Sequence, residues 1–250
     1  MSTLYIVATP IGNLEDLSFR AVRILGEVDA IACEDTRVTR KIYERYQITP
    51  PKIRFSCHEH NEHQAARRIL GLLEEGRSVA LVTDGGMPGI SDPGYHSINL
   101  CREHGHAVEI VPGPSAVTAA LVLSGLSGAS FTFKGFPPRK PGARRRFLEM
   151  EKEQPHTLIF FESPHRVTVL IEDALEVFGD RLAAVCFELS KQFERMHRGY
   201  LSEIVEVLKK DSNVRGEITV VIAGNNRKFM RDDEDEDEQH PLAPWPLPQR

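Results

Sequence analysis

The sequence predicts an α/β protein of two α/β domains, the first built on a mostly parallel sheet and the second on a mixed one. Three observations carry this expectation. Short apolar runs alternate with stretches of helical period through residues 1–112, the pattern of strands joined by crossover helices. The texture changes around Gly125 and Gly128, after which a second series of strands and helices begins. The run Met196-His197-Arg198-Gly199 reads as an arm of an antiparallel hairpin with the strand before it, which a purely parallel sheet does not hold.

Residues 4–8 are apolar and stop at Thr9-Pro10, as a buried strand leaving a sheet does. Ser18 can cap the helix that follows, with Phe19, Val22 and Leu25 on its core face. Strands are expected over 53–56, 79–82 and 108–111, with helices over 62–74 and 95–104 between them. A small-residue helix over 115–123 leads into the second half. There the expected strands are 131–134, 158–162, 183–189 and 218–223, and the helices 143–150, 167–178 and 201–210. The expected division is 1–112, 113–224, and an acidic then proline-rich tail over 225–250 that should be disordered.

The formal net charge of -5 is misleading, because residues 232–238 are all acidic. Residues 1–231 carry 30 Lys and Arg against 29 Asp and Glu, so the expected globular part is nearly neutral. Within it Arg139, Lys140, Arg144, Arg145 and Arg146 place five cations in eight residues, a local field that attracts phosphate or else a solvated loop. No apolar run approaches the roughly 18 residues that cross a bilayer, and the N-terminus enters a strand-like segment without a signal core, so a cytoplasmic location is expected. Cys33, Cys57, Cys101 and Cys186 form no CxxC pair and read as reduced thiols.

Three turns rich in glycine and proline follow strands of the first half: 10–13, 84–94 and 112–116. In an open parallel sheet the carboxyl ends of the strands form the ligand crevice, and glycine lets the main chain approach a small molecule there. Any one such loop is more often simply a tight turn; three together point to a ligand. Neither G-x-G-x-x-G nor a Walker loop is present, which argues against a nicotinamide dehydrogenase or a P-loop ATPase. The cluster Cys57-His58-Glu59-His60-Asn61-Glu62-His63 lacks the spacing of a zinc site, so no metal is expected and Asn61 reads as a helix cap.

With these loops the sequence resembles the tetrapyrrole methylase superfamily of S-adenosylmethionine enzymes, in its ribosomal-RNA-modifying branch. The resemblance runs from Leu4 to about Gly224. It rests on Pro10-Ile11-Gly12-Asn13-Leu14, Glu34-Asp35-Thr36-Arg37, His58-Glu59-His60-Asn61-Glu62, Pro88-Gly89-Ile90-Ser91-Asp92-Pro93-Gly94, Pro112-Gly113-Pro114-Ser115-Ala116, Phe161-Glu162-Ser163-Pro164-His165-Arg166 and Arg215-Gly216-Glu217. It implies 2'-O-methylation of a cytidine ribose in the decoding region of small-subunit ribosomal RNA, by a homodimer whose cofactor lies in a cleft between two α/β domains. The chain departs from the family pattern at Gly85 and Met87, within Thr83-Asp84-Gly85-Gly86-Met87-Pro88 where Ser-Asp-Ala-Gly-Thr-Pro is usual. It departs again at Phe187, where arginine is usual.

On that resemblance the expected cofactor contacts are Pro10, Asp84, Gly85, Gly86, Met87, Ser115 and Ala116, with Glu217 and Ile218 closing from the second domain. Glu34, Asp35 and Lys191 are the candidates for a base or an orienting group, because a ribose hydroxyl is a poor nucleophile. Arg37 and Arg166, with the basic cluster, are the expected RNA contacts. The alternatives are a small-molecule methylase of the same superfamily and a noncatalytic RNA-binding or ribosome-assembly factor that keeps only the fold.

Overall fold

The computed structural model describes residues 2–231. Its two compact units divide after Ser115. The first holds a five-stranded sheet of β1 (Thr3–Val7), β2 (Ala30–Cys33), β3 (Ile53–Ser56), β4 (Val79–Val82) and β5 (Ala107–Val111), in the order β3-β2-β4-β1-β5 and parallel throughout. Helices α1 (Phe19–Glu27) and α2 (Thr36–Tyr46) bury Ala21, Ile24, Leu25, Ile42 and Tyr43 against one face. Helices α3 (Glu62–Glu74) and α4 (Tyr95–Glu103) bury Ala65, Ile69, Leu72, Leu73 and Cys101 against the other. With both faces covered, the central strands β2 and β4 are apolar and buried at every position.

Two local expectations change here. Ser18 does cap α1, accepting the Ala21 N–H at 3.1 Å, but Phe19 is 97% exposed. The Cα–Cβ bonds of a helix tilt toward its N-terminus, so a side chain at the first position overhangs the end instead of covering the sheet. Asn61 precedes α3 but makes no capping bond; its Oδ1 accepts from the His58 N–H and its Nδ2 donates to the Ser56 carbonyl, closing the turn itself.

The second unit, from Ala116 on, begins with α5 (Ala116–Ser124) and holds a mixed sheet. Its strands are β6 (Phe131–Phe133), β7 (Thr157–Glu162), β8 (Leu182–Phe187), β9 (Arg195–Tyr200) and β10 (Ile218–Ile222), in the order β6-β7-β10-β8-β9. Only β6 and β7 pair in parallel, and β9 forms the expected antiparallel pair with β8. Helices α6 (Pro141–Glu149), α7 (Val167–Phe178) and α8 (Leu201–Lys210) contribute Leu148, Leu170, Ile171, Ala174, Leu201 and Ile204 to one core with Phe160, Val185 and Val220. The ordered chain continues past the expected boundary at 225. Asn225 N donates to the Gln154 carbonyl, Met230 bridges to Arg181, and Arg231 N donates to Asp180. The acidic run and proline-rich end, 232–250, lie outside the described residues, and so does their expected disorder.

Candidate active site

Strand order fixes where a ligand crevice can open in the first unit. From β1 the chain crosses toward β2 on one side, and from β4 it crosses past β1 to β5 on the other. The connections leaving β1 and β4 therefore diverge, and the space outside their carboxyl ends is the topological switch point of the sheet. The two loops that flank it are tied together there. Thr9 and Gly86 exchange main-chain hydrogen bonds of 2.9 and 3.0 Å, and Thr9 Oγ1 donates to the Thr83 carbonyl at 2.9 Å. The third loop joins through Ala8 N, which donates to the Val111 carbonyl at 3.1 Å. Pro10, Gly85, Gly86, Met87, Pro112 and Gly113 are thus gathered along adjacent strand ends, as the sequence suggests.

Glycine is required at particular places. Gly86 has φ +90°, and a Cβ on Gly94 would lie 2.9 Å from Gly89 N. At Gly85 an added Cβ would stand 3.3 Å from the Pro10 carbonyl oxygen, so the two loops meet backbone to backbone. The 84–94 loop is held from below by Glu62, whose Oε1 accepts from Gly94 N at 2.8 Å and His96 N at 3.0 Å. Glu62 lies in the histidine-rich cluster, and its role there is to satisfy the open N-terminus of α4. His63 and His96 stack at 4.0 Å in a groove of about 470 Å³ along α3 and α4 that shares no lining residue with the strand-end loops. Among the described residues, no group of three or more His, Cys, Asp or Glu side chains gathers as a metal site.

Because β2 lies beside β4, their following loops bring three carboxylates together. Asp84 N donates to Glu34 Oε2 at 3.2 Å, and Asp84 Oδ1 accepts from Asp35 N at 3.0 Å. Partial burial and the charge of Glu34 raise the Asp84 carboxyl above the usual range, against the Asp35 N–H that lowers it. Asp35 goes the other way. Its carboxylate accepts the Arg37 guanidinium at 2.6 Å and the Arg37 N–H at 2.7 Å as the N-cap of α2, and these bonds lower its pKa to about 2. So weak a base is poorly suited to taking a proton at neutral pH.

A pH consequence follows from this depressed value. The stabilisation from Asp35 is fully present above its ordinary 3.8 and is lost as pH falls toward about 2. A carboxyl-detected NMR titration should find the Asp35 midpoint near 2 and move it up toward 3.8 in Arg37→Ala. An unmoved midpoint would refute the assignment of the shift to Arg37.

In the second unit Lys191 sits between Glu188 Oε1 at 3.0 Å and Glu217 Oε2 at 3.1 Å. Burial pulls its ammonium down, but the hydrogen bonds and charges of the two carboxylates outweigh it and hold the pKa above the ordinary value. Lys191 is accordingly held as a cation by these two carboxylates. It anchors the turn after β8, where Glu188 and Ser190 have positive φ. Glu217 is exposed, whereas the Ile218 side chain is 3% exposed within the core and its main chain lies in the ladder of β10.

The basic cluster divides in two. Arg139, Lys140 and Arg146 are exposed. Arg144 is buried in α6, with Nε 2.7 Å from Asp173, and Arg145 is held by Asp173 and Glu176 at 2.8 Å each. Arg166 pairs with the buried Glu162 at 2.9 Å and donates to the Pro137 carbonyl. Arg144 offers no charge to solvent, and Arg145 and Arg166 are engaged by protein partners.

The family model of the tetrapyrrole (corrin/porphyrin) methylases matches residues 3–205, which covers both the strand-end loops and most of the second unit. The chain belongs to this family. It is 46% identical over 226 residues to "Ribosomal RNA small subunit methyltransferase I" of Halalkalibacterium halodurans, covering 90% of this chain and 77% of that one. To the Thermotoga maritima protein of the same name it is 45% identical over 224 residues, covering 90% and 99%. Among solved structures, a uroporphyrin-III-C-methyltransferase from Thermus thermophilus superposes with TM-score 0.62 at 21% identity, covering 89% of this chain and 94% of that one. A cobalt precorrin-4 methyltransferase superposes with TM-score 0.64 at 18% identity, covering 88% and 94%.

This methylase is therefore an S-adenosylmethionine-dependent methyltransferase. The strand-end loops suit such a cofactor. Their backbones approach without an intervening side chain at Gly85, and buried Thr83 Oγ1 has no hydrogen-bond partner. Of the structural members of the site, Thr83 and Glu62 stand within motifs that the sequence marks, without a role of their own there, and Thr9 is marked only as the end of the first strand. The signal available for Thr9 and Thr83 was a hydroxyl residue directly after an apolar run.

Proposed function

We propose that this methylase transfers a methyl group to the 2'-hydroxyl of a cytidine in the decoding region of small-subunit ribosomal RNA, acting in the cytoplasm as a homodimer. The observation that carries the reading is the 46% identity, over 90% of the chain, to a relative named as a ribosomal RNA small subunit methyltransferase. Exposed Arg139, Lys140 and Arg146 support it, as cations placed to meet RNA phosphates.

When bound, the cofactor supplies a methyl group on a sulfonium, a leaving group good enough that the protein's work is mainly alignment and exclusion of water. Pro10, Asp84, Gly85, Gly86 and Met87, with Ser115 and Ala116, hold it at the switch point by main chain and small side chains. Glu34 and Asp84 form the carboxylate pair that takes the hydroxyl proton, since Asp35 is committed to Arg37 and Lys191 to its two carboxylates. Glu34→Gln should lower kcat about 10²-fold, at the lower end of what a positioned base contributes, while S-adenosylhomocysteine affinity stays unchanged by calorimetry. Wild-type turnover in that variant would remove Glu34 from the mechanism.

Mapping of ribose methylation in ribosomal RNA from cells with and without the gene tests the reading directly. One 2'-O-methylcytidine of the small subunit should disappear, and its persistence would overturn the proposal. Label transfer by the purified protein to a tetrapyrrole instead of to ribosomal RNA would favour the small-molecule alternative.

A further inference from the structure

The carboxyl ends of the parallel pair β6–β7 in the second unit carry an aromatic surface next to the exposed cations. Phe136 follows β6 and is 58% exposed. Its ring lies 5.7 Å from Phe161 near the end of β7, and Phe161 in turn packs edge-on to Phe133 at 4.8 Å. Isolated exposed aromatics are ordinary, but this one is fixed in place. Phe161 N donates to the Gly135 carbonyl at 3.0 Å, Gly135 has φ +62°, and Arg166 donates to the Pro137 carbonyl on the other side of Phe136. Arg139 and Lys140 continue the same segment into solvent. The nearby carboxylates Glu162 and Glu151 are neutralised within the protein by Arg166 and Lys134.

We propose that Phe136, backed by Phe161, is a stacking site for an unpaired RNA base, with Arg139 and Lys140 on the adjoining phosphates. This rests on the reading of RNA as substrate and deepens it, because cations alone grip a backbone and do not distinguish an unstacked nucleotide from a duplex. Every base has a π-face, so a rigid ring beside phosphate-binding cations favours single-stranded segments without demanding a sequence.

The test is binding of the full chain to a fluorescent oligoadenosine and to an abasic oligomer of the same length, with wild type, Phe136→Ala and Phe136→Trp. Phe136→Ala should weaken the oligoadenosine about 5- to 100-fold and leave the abasic oligomer, the salt slope and S-adenosylhomocysteine affinity unchanged. Phe136→Trp should restore binding, with its indole emission quenched by the base. Equal losses for both oligomers, or no loss for either, would overturn the stacking site while leaving the RNA reading intact. Failure of the wild-type protein to bind either oligomer would overturn both. A fall in affinity that accompanies a change of sedimentation from dimer to monomer would assign Phe136 to a self-interface and overturn the proposal.

Discussion

Gly86→Trp should abolish S-adenosylhomocysteine binding, a loss of at least about 10³-fold, or more than about 4 kcal/mol, measured by isothermal titration. Gly86 stands where the connections leaving β1 and β4 diverge, with its N–H donating to the Thr9 carbonyl and its carbonyl accepting from the Thr9 N–H. A Cβ there meets only Ile11 Cγ2, at 3.7 Å, so the first side-chain atom has room, and an indole built on it adds its bulk beside the Ile11 loop. That is the space the proposed function gives to the cofactor. The positive φ adds a cost of about 1–2 kcal/mol to folding, which Gly86→Ala carries without the ring. The alanine variant should bind within about tenfold of wild type, since its strain falls on folding and not on the ligand. Unchanged affinity in the tryptophan variant would remove the cofactor from this loop.

The sequence made the strand-end loops legible because their signals are local. Glycine and proline after an apolar run mark a turn whatever surrounds it, and the strands over 53–56 and 79–82 and the helices over 62–74, 167–178 and 201–210 have the same bounds in the structure. The strand β2 was not legible. Its four residues, Ala-Ile-Ala-Cys, are all buried, so they show no alternation and little of the β-branched or aromatic bias that marks a strand. Without β2 beside β4 there is no reason to join Glu34 to Asp84, which lie 50 positions apart. The same limitation hid the neutralisation of Lys191 and Arg166. Glu188 and Glu162 stand only three and four residues from them, but such a local pair closes only if the turn between folds back on itself, and the second partner of Lys191, Glu217, comes from just before β10.

Asp173→Ala should destabilise the second unit by about 3–5 kcal/mol in urea unfolding, the effect of leaving a buried guanidinium without its counterion. Asp173 Oδ2 accepts from Arg144 Nε at 2.7 Å with both side chains under a tenth exposed, and Arg144 Nη1 reaches only the Arg139 carbonyl besides. Removing the exposed Arg145 should cost under about 1 kcal/mol, as a surface pair does. Replacing both buried partners, Arg144→Met with Asp173→Leu, should recover most of the loss, since it removes the desolvated charge along with its partner. That double variant also separates structure from recognition. If Arg144 is an internal strut, the salt dependence of RNA binding should be unchanged, whereas neutralising Arg139, Lys140 and Arg146 together should reduce the slope by about two, at roughly 0.7 per single-strand phosphate contact. A reduced slope in the double variant would return Arg144 to the RNA surface; a stability loss below about 1 kcal/mol in Asp173→Ala would show that the pair is not desolvated.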